Sequence, residues 1–575
     1  MPTTGPQPVA LAADAPNPLP RLRSSSSSSP LDWIPVVKLD LDCSAKHFHL
    51  ALADLALQPE HSSSTILRAD ILADHLDPPP QTPALVSLDG YTCVRRLRRR
   101  ILPNRPQFDW AMEQECLFYS RNRDPADNDD DDAADDDDAA DDDEALVLLL
   151  PDFDQLRQQD DKGRLPYYHP QVRALAFRYL PSSTSPSSAS LRIDLVPLPA
   201  QPPLVAPLPP SDRLYRTALA LVKFTAKLCL GHADGWQKRV HHDLLVGKED
   251  VQDLYQQLKD KYNTDLVAHS PRITFRWMLS AWRESTDATK HVFEDVAIAA
   301  WLIVLWRRMY PESGGKPRGG FVDVGCGNGL LVFILNAEGY SGYGFDLRAR
   351  KSWSAYSPAP DLRVSSILPP SLVAAYLSTS TPAFPPDAFL IGNHADELTP
   401  WLPLLAACTP RSAFLNIPCC LHELHGRFDR QAYSIPAAYL SALPSPPPAP
   451  SSSTDSPSLS PAPPHPLLHP FYAPTPLAQS STSTGPSIIG GRYAAYQLYL
   501  AHLTLRCGFV PEREALRIPS TKNFGMVGRT RLYGEGDEAG QARVRDELEG
   551  VLREVERRGE WVARRPEGKA GEKDH

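Results

Sequence analysis

The sequence predicts an α/β fold whose C-terminal half is a doubly wound, largely parallel sheet of Rossmann-like type. Three observations carry that expectation. From residue 319 onward, short apolar runs alternate with helical patterns. The first run, FVDV at 321–324, leads into a glycine turn at Gly325, Gly327 and Gly329. The second, GYGFD at 342–346, ends in Asp346. A strand, a glycine turn, a helix and a second strand tipped by a carboxylate form the order of a nucleotide-type cofactor site.

Taken in order, FVDV, GYGFD, RVSSIL, AFLIGN and AFLNIP read as strands. GLLVFILNAEG, SLVAAYL, LTPWLPLLAAC and RYAAYQLYLAHLTLRCG read as the helices between and after them. Residues 509–518 and 526–533 supply closing strands, and 540–565 a charged, peripheral helix. These elements define a domain over 311–535, followed by a helix and tail over 536–575. Upstream, 212–310 reads as a helical block, with LYRTALALVKFTAKLCLGH and VQDLYQQLKDKY at helical spacing. A region of mixed type covers 31–180.

Sixty prolines in 575 residues concentrate in stretches too poor in apolar side chains to offset their ordering entropy. These are 1–30, the linker 181–211 and an insertion at 441–487, with LRIDLV at 191–196 a candidate strand inside the linker. The acidic loop 121–144 joins them: DPADNDDDDAADDDDAADDDE holds thirteen Asp and one Glu. Setting those fourteen charges aside turns the formal −10 into +4, so the rest of the chain is mildly basic and compatible with an anionic partner. Nine cysteines without a regular framework suit a reduced, cytoplasmic protein. The start lacks the apolar core of a secretory signal, and the longest apolar run, 296–306, is too short to span a bilayer. No membrane partner is expected.

The glycine turn is GxGxG, with Leu330 where a dinucleotide fingerprint has its third glycine. No pyrophosphate need be cradled, and the spacing suits S-adenosylmethionine. Asp346 can accept both hydrogen bonds of a ribose diol. Asp323, Gly325, Gly327, Gly329, Asp346 and Asn393 are the expected cofactor-binding residues, and the expected chemistry is methyl transfer.

Beyond the fourth strand, IGNHADELTPW crowds Asn393, His394, Asp396 and Glu397 into one loop at the sheet's carboxyl edge. Helix capping and ligand binding both explain it and can coexist. His394, Asp396 and Glu397 are the candidates to activate an acceptor hydroxyl. Arg348, Arg350 and Lys351 follow Asp346, and Arg517 and Lys522 bracket a Pro-Ser-Thr turn. Arg348, Lys351, Arg517 and Lys522 are candidate polyanion contacts, with plain surface charge the alternative. Lys223, Lys227, Lys238 and Arg239 add basic character to the helical block. Cys419, Cys420, His422 and His425 form CCxHxxH, but structural zinc sites use two spaced ligand pairs. Packed thiols are expected there, and no metal.

Six stretches then resemble, in order, the tRNA(Ser) uridine-44 2′-O-methyltransferase family of eukaryotes: TDATKHVFEDVAIAAWLIVLW (286–306), FVDVGCGNGLLVFIL (321–335), GYGFDLRARKSW (342–353), LIGNHADELTPW (390–401), NIPCC (416–420) and LRIPSTKNFGMVGR (516–529). Weaker echoes lie at 101–119 and 165–170. The resemblance implies an S-adenosylmethionine-dependent enzyme that methylates a ribose 2′-hydroxyl in serine tRNAs. The residues alone leave two rivals: a methyltransferase acting on protein or a small molecule, and a non-catalytic RNA-binding partner.

Overall fold

The computed structural model describes residues 7–12, 14–15, 19, 32–78, 88–106, 108–121, 144–160, 163–182, 188–198, 206–236, 242–263, 284, 287–441, 443, 491–559 and 561–562. Most of the segments expected to be disordered, together with Lys238 and Arg239, lie outside these residues. Within 1–30, however, Val9–Ala10 pairs as a short strand. The chain divides into two compact units, residues 1–237 and 238–575.

The first unit is more regular than the mixed region expected. Its strands are β1 (Val9–Ala10), β2 (Ile34–Asp42), β3 (Ile66–Leu76), β4 (Tyr91–Pro103), β5 (Met112–Arg121), β6 (Ala145–Pro151), β7 (Val172–Pro181) and β8 (Ser188–Pro197). They form one antiparallel sheet in the order β1-β2-β8-β7-β6-β5-β4-β3. LRIDLV, placed in a linker by its proline-rich flanks, is the middle of β8. Its alternation explains why: Leu191, Ile193 and Leu195 join the main core while Arg192 and Asp194 point the other way. There Asp194 meets Arg192 at 2.6 Å and Arg178 at 3.4 Å, so each buried charge has a partner.

Helices Ala45–Leu57 and Arg213–Ala233 cover the apolar face of this sheet. Ser44 caps the first and Asp212 the second. The second corrects the expected helical block 212–310. Its stripe Ala218, Val222, Ala226 and Cys229 is buried in the core of the first unit, so that block is shared between two units. Helical spacing reveals a stripe but not which sheet it covers.

The second unit carries β9 (Phe321–Val324), β10 (Gly342–Asp346), β11 (Leu362–Val364), β12 (Phe389–Asn393), β13 (Ala413–Ile417), β14 (Glu512–Ala515) and β15 (Phe524–Gly528). Their order is β11-β10-β9-β12-β13-β15-β14. β9 to β13 run parallel, and β15 is antiparallel to both β13 and β14. The chain moves outward from β9 to β11, then returns to β12 on the other side of β9. That reversal opens a crevice at the carboxyl ends of β9 and β12.

Both faces of the sheet are buried, as parallel strands require. Phe321, Phe389, Ile391 and Leu415 face helices Lys248–Asn263, Ala288–Met309 and Leu330–Ala337. Val322, Val324, Leu390 and Phe414 face helices Leu402–Ala407, Arg492–Arg506 and Glu538–Glu556. The last helix is not peripheral, as its charge had suggested. Leu548, Val551 and Val555 are buried, and Glu547 accepts from Arg506 Nε at 2.7 Å and Tyr439 Oη at 2.6 Å. No described helix is long and apolar enough to cross a membrane.

Candidate functional site

The glycine turn lies at the crevice. Gly325, Gly327 and Gly329 all have φ between 51° and 75°, the left-handed region that side chains disfavour. Two of them differ in what a Cβ would meet. At Gly327 there is nothing within 4 Å, so the turn presents bare backbone to open space. At Gly329 a Cβ would fall 2.6 Å from Leu362 Cδ1, so this glycine is needed for packing. The stretch after Asp346 clamps the turn: Trp353 Nε1 donates to Gly327 O at 2.9 Å, Ser352 Oγ to Asn328 O at 2.8 Å and Tyr356 Oη to the same oxygen at 3.0 Å. Asn328 Oδ1 accepts from the N–H of Leu330, the first residue of the following helix, at 2.6 Å.

Asp346, at the tip of β10, accepts the Gly327 N–H at 3.0 Å, and Arg350 lies 3.5 Å from its other oxygen. Asp323 is 1 % exposed, and its Oδ1 has no hydrogen-bond partner. Burial, then the charges of Asp295 and Asp346, push its carboxyl well above the ordinary range. Asp295 comes from helix Ala288–Met309 and accepts from Asn328 Nδ2 at 3.4 Å and Asn393 Nδ2 at 3.3 Å. Burial, then the Glu294 charge, raises it to about 7. Three carboxyl groups thus stand close behind a bare glycine turn, an arrangement suited to a cationic ligand such as a sulfonium with its ammonium.

Asn393 ends β12, and the loop beyond is strained, with φ of 54° at His394 and 45° at Asp396. His394 Nε2 lies 3.1 Å from Glu294 Oε1, while its Nδ1 is covered and has no partner. Burial works to raise the Glu294 carboxyl, but the hydrogen bond and charge of His394, with Ser520 and His291, hold it below its ordinary value. Glu294 is therefore a carboxylate that fixes an imidazole.

A cavity of about 380 Å³ joins these parts. Gly325, Gly327, Asp346 and Arg348 line one side, and His394, Asp396 and Glu397 the other. Gly329, Asp323 and Asn393 sit behind the lining. Lys351 is exposed nearby and outside it. The two remaining basic candidates are engaged elsewhere. Arg517 makes a two-pronged pair with Asp243 at 2.8 and 2.5 Å, and the Lys522 ammonium lies 4.2 Å from the ring centre of Tyr493. The four ligands of a CCxHxxH reading do not come together. Asp396 joins Cys419 and Cys420 instead.

Sequence reasoning missed Glu294, Asp295, Ser365, Ser366, Ile367 and Trp561. The first two carried a signal: adjacent acids on a helix otherwise apolar from 292 to 306 must be neutralised or used. The cavity-lining residues 365–367 and Trp561 carried none, because their position depends on where β11 ends and where the C-terminal helix docks.

Comparison with known proteins agrees with this geometry. A family model described as "Predicted AdoMet-dependent methyltransferase" matches residues 245–367, and one described as "TRM44-like, N-terminal bet v1-like domain" matches 11–239. The second unit thus has the class of an S-adenosylmethionine-dependent methyltransferase. A tRNA (uracil-O(2)-)-methyltransferase of Neurospora crassa is 34% identical over 89% of this chain and 90% of its own length. Those of Schizosaccharomyces pombe and Debaryomyces hansenii are 34% and 30% identical over 88% and 92% of this chain, and over 87% and 93% of their own lengths. The chain belongs to the tRNA (uracil-O(2)-)-methyltransferase family.

Proposed function

We propose that this chain transfers a methyl group from S-adenosylmethionine to the ribose 2′-hydroxyl of a uridine in tRNA, at position 44 of serine tRNAs. The second unit is read as a Rossmann-like methyltransferase domain. The observation that carries the reading is the single cavity shared by the Asp346–Gly327 side and the His394–Glu397 loop. Its volume lies within the roughly 300–1,000 Å³ usual for small-ligand sites.

When bound, S-adenosylmethionine supplies a methyl group already activated by the sulfonium. The protein's task is then alignment and proton removal. Asp346 would hold the ribose diol of the cofactor, and the turn at Gly325 and Gly327 would let the rest approach the main chain. The cofactor's positive charge would draw the buried Asp295 and Asp323 carboxyls toward their ionised forms. His394 accepts the hydroxyl proton at Nδ1, the nitrogen that Glu294 leaves unoccupied, and Glu294 stabilises the resulting imidazolium. Since Nδ1 is covered, the strained 394–396 loop shifts as the ribose enters.

Calorimetry of S-adenosylmethionine binding to Asp346→Ala tests the cofactor half. The loss of hydrogen bonds to a charged group predicts an affinity about 10- to 100-fold weaker. Unchanged affinity would remove Asp346 from the site.

A further inference from the structure

Behind the loop that carries His394 lies a second cluster, distinct from the His394–Glu294 pair. Asp396 Oδ1 is 3.6 Å from Cys419 Sγ, and Cys419 Sγ is 3.5 Å from Cys420 Sγ. All three ligand atoms lie within 4.8 Å of one another, and the residues are half-buried, so an ion can reach them. The donors come from two places, the loop after β12 and the chain just beyond β13. Parallel pairing of those strands brings them together, since Asn393 stands beside Ile417.

The distances are informative. A tetrahedral zinc ion with bonds of about 2.3 Å to sulfur and about 2.1 Å to a carboxylate oxygen separates two sulfurs by about 3.8 Å, and sulfur from oxygen by about 3.6 Å. The Cys419–Cys420 and Cys419–Asp396 edges match that tetrahedron to within a few tenths of an ångström. Two thiolates and a carboxylate form a soft donor set that favours Zn²⁺ over Mg²⁺ or Ca²⁺.

We propose that Asp396, Cys419 and Cys420 bind one Zn²⁺ ion, leaving its fourth position open to an oxygen ligand. Three protein ligands with one open position distinguish reactive zinc sites from closed structural ones. Asp396 also lines the cavity, so this ion ties the 394–397 loop to the end of β13 and faces the space where the acceptor ribose is proposed to lie. His422 and His425 take no part. A water or the acceptor hydroxyl completes the coordination, and a hydroxyl so held loses its proton more readily.

The test uses the full chain, purified under reducing conditions, with Zn²⁺ and Co²⁺ as probes. Elemental analysis should return one zinc per chain. Replacement by Co²⁺ should give sulfur-to-cobalt charge-transfer absorption that Zn²⁺ abolishes. Cys419→Ser, Cys420→Ser and Asp396→Asn should each weaken Zn²⁺ affinity by more than about 10-fold, the lower range for loss of an outer-shell partner. Cys93→Ser, in the first unit, should leave it unchanged. Absence of a cobalt–thiolate band in the unsubstituted chain, or retention of that band in the Cys419→Ser, Cys420→Ser double variant, would overturn the proposal. Absence of the band in the unsubstituted chain overturns the proposal even where a variant fails to fold. Zinc content is read without cofactor or tRNA, so failure here leaves the methyl-transfer reading standing.

Discussion

His394 and Glu294 meet at 3.1 Å although they are 100 positions apart in the chain, and are proposed to act as one pair. If Glu294 orients the imidazole and stabilises its charged form, Glu294→Gln should lower kcat by about 10²-fold or more. Its amide can present an N–H to the ring and reverse the tautomer. Cofactor affinity, measured by calorimetry, should not change. Equal losses in kcat and cofactor affinity would instead indicate a structural role. His394 was legible as a candidate because it stands in a polar loop at the carboxyl edge of the sheet. Its partner was not, because it lies on a helix that sequence alone cannot dock.

Asp295, next to Glu294, gives a second prediction. Its carboxyl is raised from 3.8 to about 7, so the folded chain keeps a proton that the unfolded chain releases. Stability from this group is complete below about pH 4 and is lost as pH rises through about 7. Asp295→Asn should flatten that part of the pH dependence and be the more stable form at pH 8, by on the order of a few kcal/mol. Urea unfolding at pH 5.5 and pH 8 measures it, and identical slopes in both proteins would contradict the burial argument. The variant should also bind cofactor less well, since its amide cannot ionise beside the cofactor's positive charge.

At the scale of elements, the glycine turn separates fold from function. Gly329→Ala places a methyl group 2.6 Å from Leu362 and should lower the melting temperature by several degrees, as expected for overpacking of about 1–3 kcal/mol. Gly327→Ala meets no neighbour. Only its left-handed φ disfavours the change, at about 1–2 kcal/mol, and its main effect should be on cofactor affinity. Thermal melts and binding measured on both variants distinguish the two roles, and equal effects would contradict the division.

The strands and helices after residue 319 were legible because period-2 and period-3.6 patterns alternate there with turn residues between them. The closing strands were expected longer than they are: β14 is Glu512–Ala515 and β15 Phe524–Gly528. Glu512 and Glu514 lie inside β14, paired with Arg529 and with Leu245 N and Trp301 Nε1, and such partners are invisible to a hydrophobic pattern.

At the scale of the whole molecule, one chain combines an antiparallel sheet unit and a methyltransferase unit. The boundary at 237 was not legible, since the helix before it and the helices after it share the same spacing. A basic balance outside the acidic run predicts that tRNA affinity falls steeply with salt, as counterion release requires. Filter binding at two ionic strengths checks this, and salt-independent affinity would argue against phosphate contacts.

The central claim is that the cavity between Asp346 and His394 methylates a tRNA ribose. The direct measurement is to incubate the purified chain with S-adenosylmethionine and unmodified serine tRNA and then map ribose methylation nucleotide by nucleotide. One new 2′-O-methyl group is expected, on uridine 44, which is lost with His394→Ala while the cofactor still binds. Methyl groups found on a base or on protein, or none at all with the cofactor bound, would contradict it.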